Sequence, residues 1–390
     1  MWWLRPADII DEPRFPWRGV MLDTARHFLT VGMIKQQLDL MAQNKFNVFH
    51  WHIVDHEAFP YTSTRFPELT KGAYTPKHVY TVEEIKGIVE FARLRGIRVV
   101  VEFDTPGHTA SWRAGAPAGV IADCYTDATD SKIMPFAGLL DPTQNITLQF
   151  LKEFLEEAQG VFPDDYIHLG GEEVDEFLTP CWLNNKGFME RMRTLKFGNS
   201  TDKLQQAFFQ TLIEIITHKK PEKRAVLWEE AFYSSAAPKN SIAQVWRGWQ
   251  NQKTISETLE KVTAAGHQAI LSSCWYLNYI SYGPDWQYLY NCEPHNFNGT
   301  DEQKDLVIGG EAAFWGEYVD GASLTPLMWP RASAVAERLW SDPAATKNAD
   351  DAWPRLHEHR CRLLLRGYAV QPPNTPDYCL DPWDPPYPQY

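Results

Sequence analysis

Residues 81–103, TVEEIKGIVEFARLRGIRVVVEF, hold the unit from which the fold is read. Thr81 can cap a helix with its hydroxyl while Glu84, three residues on, returns a bond to the cap, the reciprocal pattern of a capping box. Ile85, Ile88, Val89 and Ala92 then recur on one helical face, and Gly96 supplies a stop. The run at 97–103 is rich in valine and does not alternate, as expected of a parallel strand covered on both sides. The local grammar is helix, then buried parallel strand.

The same order repeats along the chain. Ile34, Leu38 and Met41 share a helical face before an apolar run at 46–54; Leu148, Leu151 and Leu155 precede 166–169; Ile255, Leu259 and Val262 precede 268–272. Candidate strands at 19–22, 225–228, 242–246 and 306–312 complete a set of eight, and a helical segment at 331–340 follows the last. Eight strands alternating with helices predict an α/β fold of the (β/α)8 TIM-barrel type, one domain over 1–390. The stretch from 104 to about 143, rich in Gly, Pro and Asp, is too long for a routine connection and is expected to be a functional loop over the barrel mouth. The Pro-rich end, about 371–390, reads as a surface tail pinned by Cys379.

A chain of 390 residues with 44% hydrophobic content can bury a large core, and a formal net charge of −13 argues against nucleic acid or another polyanion as partner. No apolar run is long enough for a membrane span, and the opening Met1 to Pro6 lacks the pattern of a signal peptide. Six cysteines without a Cys-x-x-Cys pair remove the usual zinc-ribbon and thioredoxin signatures and suit disulfides, whose many pairings spacing alone leaves open. Glycosylation triplets begin at Asn145, Asn199 and Asn298. Together these features place the expected location in a lysosome or outside the cell.

In a barrel of this kind the chemistry lies just past the C-terminal ends of the strands. Arg26 follows the first strand, Asp55 the second, His108 the third, Glu172 and Glu173 the fourth, Glu229 the fifth, Tyr276 and Asn278 the seventh and Glu317 the eighth. Trp228, Trp246 and Trp315 occupy equivalent rims. Carboxylates accept bonds from hydroxyl groups and indoles cover apolar ring faces, so the set suits a neutral polyhydroxylated ring. Each residue also has a plainer reading: Glu172 and Glu173 as a solvated acidic pair, His108 as a structural histidine, Trp228 and Trp246 as core filling.

The likeness to a known family is carried by several ordered motifs. His168-Leu-Gly-Gly-Glu172-Glu173 resembles the His-x-Gly-Gly-Asp-Glu signature of glycoside hydrolase family 20, the β-N-acetylhexosaminidases. Asp23-Thr-Ala-Arg26-His27, Trp51-His-Ile-Val-Asp55, Pro106-Gly-His108-Thr, Val245-Trp246-Arg247, Trp275-Tyr276-Leu-Asn278 and Trp315-Gly-Glu317-Tyr318 are similar to the animal lysosomal type, over about 14–379. What the resemblance implies is a retaining hydrolase that removes terminal β-linked N-acetylhexosamine using the substrate's own acetamido group. Glu173 would be the general acid, kept protonated by the acids around it, and Glu172 would orient the acetamido group. Tyr276 would bond its carbonyl, and Trp228, Trp246 and Trp315 would box its methyl. Arg26 and Glu317 would hold ring hydroxyls, with Asn278 beside them, and His108 and Asp55 would act behind Glu173. The resemblance also implies bridges Cys124–Cys181 and Cys361–Cys379, and with them Cys274–Cys292 for the remaining pair.

The departure from the family pattern that matters is glutamate at 172 in place of aspartate; His56 and Ala58, where the family commonly has another acid and a serine, are smaller ones. An added methylene in a positioning side chain makes a weak or inactive glycan-binding homologue the alternative reading. The small α+β domain that precedes the barrel in the family is expected to be missing from this chain. The expected partners are a glycan ending in N-acetylhexosamine and a second copy of the chain in a homodimer, and no cofactor or metal is expected. A metal hydrolase is the rival mechanism, since His50 and His52 project from one side of a strand, but the further histidines and lysine such barrels use are not found. His357 and His359 lack the spacing of a zinc helix and read as surface.

Overall fold

Eight parallel strands close in sequence order into one barrel in the computed structural model of the chain, which describes residues 7–125, 138–174, 179–233, 240–279, 281–375 and 377–385. The strands are Trp17–Asp23 (β1), Val48–Val54 (β2), Arg98–Phe103 (β3), Tyr166–His168 (β4), Arg224–Trp228 (β5), Ser241–Val245 (β6), Gln268–Leu271 (β7) and Val307–Phe314 (β8). Closure comes from β1, which pairs with β2 on one side and β8 on the other. All eight expected strands are present, with ends displaced by a residue or two. The helix at 331–340 runs over Arg331–Trp340 as expected.

The unit at 81–103 folds as its sequence dictates. Thr81 and Glu84 form the capping box of the helix Val82–Arg93, Ile85, Ile88 and Ala92 are buried, and Gly96 takes a left-handed φ of 71°. Val99, Val101 and Phe103 of β3 face the helical layer, while Val100 and Glu102 point into the barrel. One connection departs from the helix–strand alternation: a single short turn, Glu229–Phe232, follows β5 among the described residues.

Side chains fill the barrel in layers. The floor is apolar, built from Trp17, Val48, Val100, Val226, Ile242 and Ile270. Two residues further along the strands the interior turns polar, with His50, Glu102, Gln244 and Glu311 all buried. Gly19 makes room for this layer, because a Cβ there would stand 2.5 Å from the Glu311 carboxylate. The top layer is aromatic again, grouping Met21, Trp228, Tyr276, Ala313 and Trp315 beneath the mouth.

Three disulfides, Cys124–Cys181, Cys274–Cys292 and Cys361–Cys379, have the pairing that the resemblance implied. The first ties the long segment after β3 to the connection after β4, and the last pins the Pro-rich tail to the helix Ala349–Leu365. Parts of both expected surface segments, 126–137 and 376 with 386–390, lie outside the described residues. Asn145, Asn199 and Asn298 are all exposed. No helix among the described residues is long and apolar enough to cross a membrane.

Candidate active site

The connections at the C-terminal ends of the strands enclose a cavity of about 510 Å³. Arg26, His108, Glu172, Glu173, Trp228, Trp246, Tyr276, Asn278, Trp315 and Glu317 line it, joined by Tyr279 and Tyr318. Of the expected site residues two are set back from the lining: Asp55, fully buried behind His108, and Glu229.

The turn after β4 aims the two glutamates. Gly170 has a φ of 76°, and a Cβ there would fall 1.7 Å from Asp104 Oδ1, so only glycine lets the chain pass this close to the end of β3. The Gly171 N–H donates to the same carboxylate at 3.2 Å, and Glu173 itself adopts a left-handed φ of 58°. His108 also has a positive φ, 55°. Such non-glycine geometry costs of order 1–3 kcal/mol and is retained where surroundings enforce it. Glu172 is left buried, whereas the Glu173 side chain keeps 39% of its exposure.

Behind Glu173 the contacts run inward. His108 Nε2 lies 3.3 Å from Glu173 and 3.8 Å from Glu172, and its Nδ1 lies 3.1 Å from Asp55. Asp55 also meets Arg26 at 2.9 Å and His52 at 2.6 Å, while Arg26 reaches Asp23 at 3.3 Å and Glu57 at 3.1 Å. Burial alone would raise the pKa of Asp55, but Arg26 and His108 override it and hold the carboxyl well below the usual range. His108, which burial would neutralise, is instead kept charged chiefly by Asp55.

These charges correct one expectation. The acids clustered here do not keep Glu173 protonated: the charged His108 ring 3.3 Å away leads the effects that lower its pKa, with Arg26 and Arg247 adding to it. The carboxyls that hold protons are Glu172, driven well up by burial and by Asp104, and Asp104, pushed up to about 8 by burial. Crowding raises the deeper acids, and the imidazolium claims the outer one.

The indoles are anchored from beneath. Trp228 Nε1 donates to Glu102 at 2.8 Å and Trp246 Nε1 to Glu230 at 2.9 Å. Trp228 lies 6.4 Å from Trp246 and 6.0 Å from Trp315, ring centre to ring centre. Tyr276 continues the edge of β7, bridged to Ala313 of β8, and stacks on Trp246. The aromatic series runs outward through Tyr279 to Trp249, whose ring centres are 4.5 Å apart. These two rings, 45% and 41% exposed, wall a second cavity of about 370 Å³ that also touches Glu173. Glu173 therefore borders both spaces.

Glu229, expected at the mouth, lies buried below it, accepting from the backbone N–H groups of Trp246 at 2.8 Å and Arg247 at 3.2 Å. The residue that braces the rim is its neighbour Glu230, paired with Arg247 at 3.0 Å. Sequence reasoning missed Glu230 and also Asp104, although they lie two residues and one residue past their strands and the strand-end rule could have found them. His50 and His52, the basis of the metal reading, sit inside the barrel rather than at its mouth. Each ring uses both nitrogens on carboxylates: His50 on Glu311 and Glu102, His52 on Glu102 and Asp55.

An acid between two aromatic-walled spaces at a barrel mouth is suited to cleaving a bond between a sugar ring and what it carries, and the molecule falls in the class of barrel glycoside hydrolases. The comparisons carry this further. The sequence profile "Glycosyl hydrolase family 20, catalytic domain" matches residues 15–343, and the chain belongs to that family. It is 47% identical to beta-hexosaminidase A of Caenorhabditis briggsae over 98% of this chain and 71% of that protein. It is 48% identical to the beta subunit of beta-hexosaminidase of Homo sapiens over 95% of this chain and 64% of that protein. The crystal structure of Flavobacterium johnsoniae chitobiase superposes with a TM-score of 0.78 at 30% identity, covering 91% of this chain and 52% of that one.

Proposed function

We propose that the chain is a retaining exo-β-N-acetylhexosaminidase that releases terminal β-linked N-acetylglucosamine or N-acetylgalactosamine by substrate-assisted catalysis. The observation that carries this is the place of Glu173, at the boundary between the indole-walled cavity and the outer aromatic one. A sugar ring in the inner space with its leaving group in the outer one puts the glycosidic oxygen beside this carboxyl.

In the first step the protonated Glu173 gives its proton to the glycosidic oxygen, the C1–O bond breaks, and the acetamido oxygen closes on C1 to form an oxazolinium ion. In the second step Glu173, now a carboxylate, takes a proton from the water that attacks C1, and the acetamido group is restored with net retention. Glu172 faces the acetamido group together with Tyr276, which bonds its carbonyl. In the resting site burial and Asp104 keep the Glu172 carboxyl protonated, so it meets the acetamido group as a hydrogen-bonding partner. Trp228, Trp246 and Trp315 box the methyl group, and Arg26, Asn278 and Glu317 meet ring hydroxyls. Asp55 and His108 hold the acid in place.

Three disulfides and three glycosylation triplets with exposed asparagines favour a lysosomal or extracellular site of action. The test is turnover of aryl β-N-acetylglucosaminide and β-N-acetylgalactosaminide with the sugar product followed by proton NMR. Release of the β-anomer first is the expected result; an α-anomer first overturns the mechanism. Binding of the sugars without any turnover would favour the second reading, a glycan-binding homologue disabled by glutamate at 172.

A further inference from the structure

The polar layer in the barrel is connected to the acid. Starting just above the floor, Glu311 lies 2.5 Å from His50 Nδ1, His50 Nε2 lies 2.8 Å from Glu102, and Glu102 lies 2.5 Å from His52 Nδ1. His52 Nε2 then lies 2.6 Å from Asp55, Asp55 lies 3.1 Å from His108 Nδ1, and His108 Nε2 lies 3.3 Å from Glu173. Carboxylate and imidazole alternate at every rung, and from Glu311 to Asp55 every member is fully buried.

We propose that His52, with Glu102 and His50 beneath it, is a positioning residue for the acid: the single file of carboxylates and imidazoles fixes the orientation and charge of His108 and through it the proton affinity of Glu173. The proposal rests on Glu173 being the acid and extends the contacts behind it by four groups into the barrel.

Energetics favour a functional reading. Burying a charge costs several kcal/mol even after relaxation, and an apolar layer of equal volume is often as stable as a buried ionic one. The barrel floor just below is filled by such an apolar layer. Room for the ionic layer is made by Gly19, and Glu311 is held by Trp17 Nε1 at 3.2 Å and Gln244 at 2.9 Å, so its position is built. Glu102 also accepts from Trp228, which ties the file to a wall of the inner cavity.

The charges support the geometry. His52, which burial would neutralise, is raised to about 10 by Glu102 and Asp55, and His50 to about 9 by Glu311 and Glu102. Burial would raise Glu102, but His168, His52 and His50 pull it well down. Other ionisable groups surround the file: Arg26 on Asp55, and Asp104, Glu172, Arg26 and His56 around His108. His52 also packs against the Trp315 ring, 4.8 Å away. Its positive charge therefore acts upward through Asp55 and helps to keep Glu173 ionised.

The test is His52→Gln, which can still donate to Asp55 but carries no charge. Two readouts are followed: the pH dependence of kcat/KM on an aryl N-acetylglucosaminide, and the titration of the Glu173 carboxyl by 13C NMR with labelled glutamate, assigned through Glu173→Gln. Loss of the positive charge should move both upward, by about half a pH unit and at most about one. His50→Gln, two rungs lower, should move them the same way by less. A folded His52→Gln protein in which activity falls equally at every pH and the titration stays in place overturns the proposal. Should His52→Gln fail to fold, His50→Gln and Glu102→Gln read the same titration, and no shift in either is equally fatal. An NMR shift in an enzyme without turnover would leave the file standing and remove the hexosaminidase reading instead.

Discussion

Glu172→Asp shortens one side chain by a methylene and tests whether the departure at this position limits the enzyme. The glutamate is wedged in place: it is buried, its Oε1 lies 3.8 Å from His108, and Asp104 crowds it from the end of β3. Removing one carbon withdraws the carboxyl by about 1.5 Å along the chain. A misplacement of about 1 Å at a positioning group costs about 100-fold in rate. If the longer side chain holds its carboxyl off the acetamido group, Glu172→Asp should therefore raise kcat by about ten- to a hundredfold, or about 1.4 to 2.7 kcal/mol of transition-state stabilisation. Steady-state rates on an aryl N-acetylglucosaminide at acidic pH read the change, with thermal unfolding to confirm the fold. A fall of tenfold or more in a folded variant would refute the reasoning, since the cavity would then be fitted to glutamate.

Three further outcomes follow from the site. Because His108 lowers the pKa of Glu173, the acid loses its proton early as pH rises, so kcat/KM should peak on the acidic side and decline toward neutrality; a profile still rising at about pH 8 would contradict this. Trp249→Ala removes an outer ring and should raise KM for a disaccharide by about three- to tenfold, while leaving N-acetylglucosaminyl fluoride, which has no second sugar, unchanged. Equal effects on both substrates would sink the assignment of the outer cavity to the leaving group. Since His50 and His52 already spend both nitrogens on carboxylates, EDTA should leave activity intact, and loss restored by zinc would revive the metal reading.

The barrel was legible because its signals are local. The capping box at Thr81 and Glu84 and the valine run after Gly96 mark a helix and a doubly covered strand within one short stretch, and the pattern repeats. The mouth was legible because a barrel places function at strand ends, so that Arg26, His108, Glu173 and Tyr276 could be named from position alone. What escaped was set by three-dimensional neighbours. Nothing in the order of residues says that Glu229 turns down to backbone N–H groups while Glu230 braces Trp246. The charge on Glu173 depends on His108 reaching it from another loop, and the acids nearby in sequence gave the opposite sign. His50 and His52 suggested metal ligands because their partners, Glu102 and Glu311, come from strands far along the chain.

The central claim is that Glu173 protonates the leaving group of a sugar whose own amide is the nucleophile. Comparing Glu173→Gln with the unaltered chain on two leaving groups tests it most directly. With an N-acetylglucosamine disaccharide, whose departing alcohol needs a proton, the variant should lose about 100-fold or more in kcat/KM; with a dinitrophenyl glycoside, which leaves unassisted, the loss should be much smaller. Equal rates for variant and parent on the disaccharide would contradict the account.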